Sequence, residues 1–193
     1  MGFLADKRIL ITGLLSKHSI AYGIAKACHR EGAQLAFTYQ SERFVERIEK
    51  FAAEFDSKMV YQCDVAEDAQ IDALFADLGK EWSGLEGLVH SIAYAPKEAI
   101  EGDFLDGISR ESFRIAHDIS SYSYAALAKG ARPMMQGRPA QVDVVVGLAA
   151  GGQGHLAAHH GQHFFLVGRV FFQCLGFFQR NVVVASQHQS KVC

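Results

Sequence analysis

A chain of 193 residues, 49% hydrophobic and 21% charged with a formal net charge of −2, is long enough for one domain with a substantial core and too near neutrality to suggest nucleic acid or an anionic membrane as a partner. No apolar run reaches the length of a membrane span, and Asp6, Lys7 and Arg8 interrupt any signal-peptide core, so a protein without a membrane segment is expected. Four scattered cysteines (Cys28, Cys63, Cys174 and Cys193) form no CxxC pair and imply a reducing, cytoplasmic compartment rather than a disulfide framework.

The chain opens on a run that reads as a buried strand over 8–12, a sharp turn at Gly13 and a helix over 20–30 capped by Ser19. Gly13 lets the chain turn and lets a ligand approach the backbone. Ser19 caps the helix, and the free N–H groups of its first turn, helped by the dipole, form an anion site. A strand feeding such a turn near the start is how a dinucleotide-binding domain begins, although the G-x-G-x-x-G fingerprint is absent and an ordinary strand–loop–helix fits the same spacing. The first helix stops at Gly32, a C-terminal glycine.

A second strand is predicted over 34–39 and an amphipathic helix over 42–55. A third strand over 58–63 ends at Asp64, and a helix over 67–82 carries Ile71, Leu74, Phe75 and Leu78 at helical spacing. A fourth strand over 87–92 leads through a loop containing Pro96 to a long helix over 110–135. This alternation predicts an α/β fold, a three-layer Rossmann-like doubly wound parallel sheet with right-handed crossovers, its C-terminal third atypical or incomplete. Ligands in such sheets bind at the carboxyl ends of the strands, here Gly13, Gln40, Asp64 and Ser91-Ile92-Ala93. Gln40 stands where an acid often meets the ribose hydroxyls, with Arg43 the nearest arginine, which favours NADH over NADPH. The alternatives are Asp64 as a cap of the following helix and Gln40 as a solvated turn residue.

The runs Gly13-x5-Ser19-Ile20-Ala21-x-Gly23, Thr38-Tyr39-Gln40, Gln62-Cys63-Asp64-Val65-Ala66-Glu67-Asp68, His90-Ser91-Ile92-Ala93 and Ile115-Ala116-His117-Asp118-Ile119-Ser120-Ser121-Tyr122-Ser123 resemble the bacterial enoyl-acyl-carrier-protein reductases, a divergent branch of the short-chain dehydrogenase/reductase superfamily. The resemblance runs from Met1 to about Arg138. It implies NADH-dependent reduction of a trans-2-enoyl thioester held on acyl carrier protein, in the last step of fatty-acid elongation, by a cytoplasmic homotetramer. It further implies that Gly13, Ser19 and Ile20 hold the pyrophosphate and nearby cofactor, that Gln40 meets the adenosine ribose, and that Asp64 and Val65 meet the adenine. The same resemblance implies that Ile92 lines the nicotinamide side and that Ala95 touches substrate. The family has glycine in place of Ala93, so one extra methyl narrows the cofactor channel here.

The resemblance ends near Gly137-Arg138-Pro139, which divides the chain into a dinucleotide-binding domain over 1–138 and an atypical segment over 139–193. Residues 1–136 carry 20 acids and 15 bases, whereas residues 137–193 carry one acid, Asp143, with four Arg or Lys, five His and six Phe. In the family, a tyrosine and a lysine at Tyr-x6-Lys spacing follow the fifth strand; the tyrosine stabilises the developing enolate and the lysine holds the ribose. Here no tyrosine follows Tyr124 and the only late lysine is Lys191, so the catalytic residues are unassigned and a catalytically impaired NAD-binding remnant is the alternative reading.

Tyr122 and Lys129 have the Tyr-x6-Lys spacing but fall one element too early, on the helix that packs the sheet and the subunit interface in this superfamily. Val142–Gly147 with Gly151-Gly152-Gln153-Gly154 resembles a strand entering a glycine loop without a following helix; a makeshift fifth strand fits better than a second nucleotide site. His155, His159 and His163 recur at i, i+4 and i+8 as metal ligands can, but Gly154 and Gly161 weaken that helix and no carboxylate orients the rings, so no metal is expected. The abrupt change in composition predicts that residues 139–193 lie outside the family's own reading frame, a genuine variant with a replaced C-terminal third being the alternative. Resequencing decides it, since a one-base shift after the Arg138 codon should restore a Tyr-x6-Lys run.

Overall fold

The computed structural model describes residues 2–144, which lie within one compact unit, Met1–Ala149. Five parallel strands form one sheet in the order β3-β2-β1-β4-β5: β1 (Arg8–Ile11), β2 (Gln34–Tyr39), β3 (Val60–Gln62), β4 (Gly87–His90) and β5 (Gln141–Val144). The helices are α1 (Ile20–Arg30), α2 (Val45–Ala53), α3 (Asp68–Glu81), α4 (Phe104–Gly107), α5 (Arg110–His117) and α6 (Ser123–Met135).

Alternation along the strands creates the two faces. Leu10, Ala36 and Leu88 point to one side and pack with Ile71, Leu74, Phe75 and Leu78 of α3 and Leu127 and Ala131 of α6. Their neighbours Ile9, Ile11, Leu35, Phe37 and Val89 point to the other and pack with Ala21 and Ala25 of α1 and Ile48 and Ala52 of α2. Each core is made by small or aliphatic side chains at helical spacing against β-forming residues, giving the predicted three layers. Removing a fully buried leucine such as Leu74 costs about 2–5 kcal/mol.

The ends of α1 are set as the sequence suggests. Ser19 caps it by accepting from the Tyr22 N–H at 3.3 Å. Gly32, at φ +90°, ends it in a Schellman arrangement, with Gly32 N–H on the His29 carbonyl and Ala33 N–H on that of Cys28.

Three predicted elements differ from expectation. The helix expected over 42–55 begins as a 3-10 turn, Glu42–Phe44, and its α-helical part ends at Ala53. The third strand, expected over 58–63, is only three residues long, Val60–Gln62, and pairs with β2 alone at the sheet edge. The long helix over 110–135 contains a π turn, Asp118–Tyr122, between α5 and α6. Its signal is a change of hydrogen-bond span, which leaves no mark on apolar spacing. The residues between β4 and α5 form a 3-10 turn at Lys97–Ala99 and the short α4.

The run Gln141–Val144 forms β5 and pairs in parallel with β4, Gly87 opposite Gln141 and His90 opposite Val144. The expected fifth strand therefore exists in these four residues. Val145 and Val146, the glycine loop at Gly151–Gly154, His155, His159 and His163, Cys174, Cys193 and Lys191 lie outside the described residues.

At the amino end of β1 and β4, Arg8 forms a fork on Glu86, with Nε to Oε2 at 3.0 Å and Nη2 to Oε1 at 2.7 Å. Arg138 adds Nη1 to Oε1 at 2.8 Å. The Arg8 guanidinium, together with Arg138, holds the Glu86 carboxyl down to about 2. Arg138 is thus tied into this domain.

Candidate functional site

The strand order reverses its direction of growth at β1, which lies between β2 and β4. The crevice above the carboxyl ends at that point is where doubly wound sheets take ligands. Gly13 follows β1 there at φ +79°, and a Cβ on it would run into the carbonyl of Ser91. Only glycine satisfies both demands, a left-handed backbone and a neighbouring carbonyl in the space of a side chain.

Thr12 fastens this junction. Its N–H and its Oγ1 both donate to the Val89 carbonyl, at 2.9 and 3.0 Å, and Ser91 N–H donates to Oγ1 at 3.3 Å. The threonine is fully buried, so these partners replace water that its hydroxyl has lost. In the sequence Thr12 reads as a strand residue; the signal for its role is a hydroxyl ending an apolar strand just before a turn glycine.

The loop after Gly13 folds on itself. Ser19 donates through N–H and Oγ to the Ser16 carbonyl at 3.1 and 2.6 Å, and Ser16 Oγ accepts from His18 N–H at 3.2 Å. The N–H groups of Ile20 and Ala21 have no acceptor among the described residues. They are the orphan donors of a helix start, suited to an anion. Lys17 leaves the loop for Glu54 at 2.9 Å, and the second Glu54 oxygen accepts from the Tyr22 hydroxyl at 2.7 Å. Hydrogen bonds from Lys17 and Tyr22 hold the Glu54 carboxyl below its usual range.

Gln40 and Asp64, at the ends of β2 and β3, meet: Gln40 Nε2 donates to Asp64 Oδ2 at 3.1 Å. Asp64 is not the cap of α3. Its Oδ1 accepts from Ala66 N–H at 3.1 Å and its own N–H donates to Gln70 Oε1 at 2.8 Å, whereas the cap position is Glu67, which makes no side-chain cap bond. Val65 is buried in the α3 core beneath it, Ile20 is exposed at the start of α1, and Ile92 packs partly against the α3 core. Ala93 and Ala95 are half-buried. Arg43 lies on the Phe44 ring at 4.5 Å. Cys63, just before Asp64, is buried, and burial pushes its thiol up to about 12, so it carries no thiolate chemistry.

Tyr122, the decoy tyrosine, closes the π turn with its hydroxyl 3.5 Å from Asp68 Oδ1, and Lys129 is exposed on α6. The turn and the first residue of α6 present one serine each to the β4 end. Ser120 Oγ accepts from Tyr94 N–H at 2.9 Å and donates to the Tyr94 carbonyl at 3.0 Å, and Ser123 Oγ lies 2.8 Å from His90 Nε2. A hollow of about 370 Å³ lined by His29, Gln34, Phe55, Asp56, Lys58 and Trp82 lies at the opposite, amino end of β2 and β3.

These features define a doubly wound α/β domain whose candidate ligand crevice is built around a glycine turn and a capped helix start. The family model described as enoyl-(acyl carrier protein) reductase matches residues 13–160, and the chain belongs to that family. It is 65% identical over 138 residues to the enoyl-(acyl-carrier-protein) reductase (NADH) FabI of Neisseria meningitidis serogroup B, covering 72% of this chain and 53% of that protein. To the protein of the same description from Escherichia coli K12 it is 59% identical over 135 residues, covering 70% and 52%. The crystal structure of the NADH enoyl-(acyl-carrier-protein) reductase from Aquifex aeolicus VF5 superposes with a TM-score of 0.72 at 49% identity, over 74% of this chain and 56% of that one. The reductase from Anaplasma phagocytophilum, solved in complex with NAD, superposes with a TM-score of 0.69 at 33% identity, over 76% and 55%. The chain spans about half the length of the curated relatives it matches.

Proposed function

We propose that this chain carries the cofactor half of an NADH-dependent enoyl-(acyl carrier protein) reductase, with NADH across the carboxyl ends of β3, β2, β1 and β4. The observation that carries the reading is the convergence of Gly13, the Ser19 cap, the Gln40–Asp64 pair and the Ser91–Ala95 run around one switch point. The residues present fit the cofactor: a Cβ-free turn, unpaired first-turn N–H groups and a polar pair one strand away.

In this reading Gly13, Ser19 and Ile20 hold the pyrophosphate, Gln40 meets the adenosine ribose, and Asp64 and Val65 meet the adenine. Ile92 lines the nicotinamide side and Ala95 touches the acyl substrate. When bound, NADH supplies the hydride for a trans-2-enoyl thioester. The Asp64 carboxylate 3.1 Å from the Gln40 amide opposes a second anion, which supports NADH over NADPH. NADH fluorescence titration against NADPH tests this: saturable binding that prefers NADH is expected, and absence of binding sinks the reading.

A second reading rests on the sequence itself. No tyrosine follows Tyr124 and Lys191 is the only late lysine, so the family's Tyr-x6-Lys pair has no counterpart. This favours an NAD-binding remnant divided from an atypical segment at residue 138. A crotonyl-thioester assay separates the two readings: turnover at ordinary reductase rates supports the enzyme, and NADH binding without turnover supports the remnant.

The acyl-carrier-protein thioester, a homotetramer and a cytoplasmic location complete the first reading. Ile100, Phe104 and Leu105, exposed by 65%, 65% and 76% between β4 and α5, support self-association. A monomer by sedimentation would remove the tetramer.

A further inference from the structure

His90 ends β4 in a fully buried position, and its tautomer can be read from its neighbours. Ser123 has a single hydroxyl hydrogen. Its Oγ lies 2.6 Å from the Ile119 carbonyl, which can only accept, so that hydrogen is used there. Toward His90 Nε2, at 2.8 Å, Ser123 Oγ can therefore only accept, and Nε2 carries the imidazole proton. Nδ1 is then a bare acceptor, buried, with no hydrogen-bond partner among the described residues. Burial pushes His90 down to about 4, so the ring is neutral at physiological pH.

Ser123, the first residue of α6, is bonded back to Ile119 within the π turn, and Ser120 of the same turn grips both backbone groups of Tyr94. One turn of helix thus holds β4 at His90 and the chain four residues later. Between the two grips lie Ser91, whose carbonyl occupies the side-chain space over Gly13, and Ile92.

We infer that His90 is a positioning residue: its Nε2–H fixes the π turn against the end of β4, and the turn in turn sets the Ser91–Ala95 run over the ligand crevice. The inference rests on the proposed NADH reading for the purpose of that run, but the hydrogen-bond chain stands without it. The donor position matters rather than ring bulk. Glutamine places an amide near the reach of Nε2 and asparagine near that of Nδ1, whereas phenylalanine keeps the ring and loses the donor.

The test uses the whole 193-residue chain. Nitrogen-15 NMR of the histidine rings, with His90 assigned by its loss in His90→Gln, is expected to show the neutral Nε2-protonated form; an Nδ1-protonated or cationic ring overturns the inference. In His90→Phe, hydrogen exchange at the Tyr94 amide is expected to speed up by about tenfold while Leu10 and Ile11 amides keep their protection. His90→Gln restores it and His90→Asn does not. Unchanged Tyr94 exchange, or loss shared equally by the β1 amides, overturns the inference. Ser123→Ala, with restoration by Ser123→Thr, asks the same question from the other partner should His90→Phe not fold, and is read by the same two outcomes. NADH affinity in His90→Phe is expected to fall about tenfold, because a mis-set loop loses pre-organised contacts; undiminished affinity overturns the positioning role. If the unaltered chain binds no NADH, the cofactor reading fails separately, and the tautomer and exchange results still decide the role of His90.

Discussion

The carbonyl of Ser91 occupies the space that any side chain at residue 13 would need. Gly13 also holds φ +79°. Gly13→Ala is therefore expected to destabilise the fold by about 3 kcal/mol, left-handed strain adding to a clash with backbone that cannot rotate aside. It should abolish NADH binding as well. Denaturant unfolding and fluorescence titration check both; a variant that binds as the parent does would show that the turn is not the phosphate site.

Gln40 and Asp64 share one hydrogen bond, so their contributions to cofactor binding should not add. Gln40→Ala and Asp64→Asn are each expected to weaken NADH binding, with a coupling of about 0.5–1 kcal/mol in the double-mutant cycle. Asp64→Asn, by removing a negative charge, should also narrow the preference for NADH over NADPH. Strictly additive losses would mean that the pair does not act together on the ligand.

Glu86 gives an acid-dependent stability at the other end of the sheet. Its folded value of about 2 lies below the ordinary 4.5, so the folded state favours the ionised carboxylate. The stabilisation is complete above about pH 4.5 and is lost as pH falls toward 2. A shift of that size corresponds to about 3 kcal/mol, and screening of the partly solvated pair leaves about 1–2. Glu86→Gln should lower stability at pH 7 by about that amount and flatten the acid limb of the unfolding free energy between pH 4.5 and 2. An equal pH slope in parent and variant would refute this.

His90 acts in a separate window. Folded at about 4 against an ordinary 6.5, the ring refuses a proton that the unfolded chain accepts. Stability from this group is full above pH 6.5 and declines as pH falls toward 4, by about 3 kcal/mol for a shift of that size. His90→Gln is expected to remove this slope while leaving the Glu86 limb intact. Urea unfolding at pH 7, 5.5 and 4 measures it, and an unaltered slope in the variant counts against the assignment.

The strand–helix alternation and the carboxyl-end residues were legible because they rest on local rules. The strand over 8–12, the Ser19 cap and the Gly32 terminator all stand where the sequence places them. The crevice fittings were not. Thr12, Ser120 and Ser123 are small polar residues whose partners lie 77, 26 and 33 positions away, and no periodicity reports such pairings. His90 lies in the predicted strand over 87–92, and nothing in that run marks its pairing with Ser123. The π turn stayed hidden because Ile115, Ile119 and Leu127 keep an apolar face through it. Asp64 left two roles open, and only the geometry showed its carboxylate turned to Gln40 and Ala66 rather than to the start of α3.

The stitch from Thr12 to Val89 also sets an order of events. The glycine turn is among the first residues made, yet its counterpart arrives 77 residues later, after three strands and three helices have been laid down. Closing that loop is a non-local step, entropically late compared with forming α1 or its cap. A nascent chain ending before Gly87 has the turn but neither the hydroxyl's acceptor nor the Ser91 carbonyl that shapes it. The earliest-synthesised part of the candidate crevice thus takes its final shape only after β4 has been made, as a property of the closed sheet rather than of the opening motif.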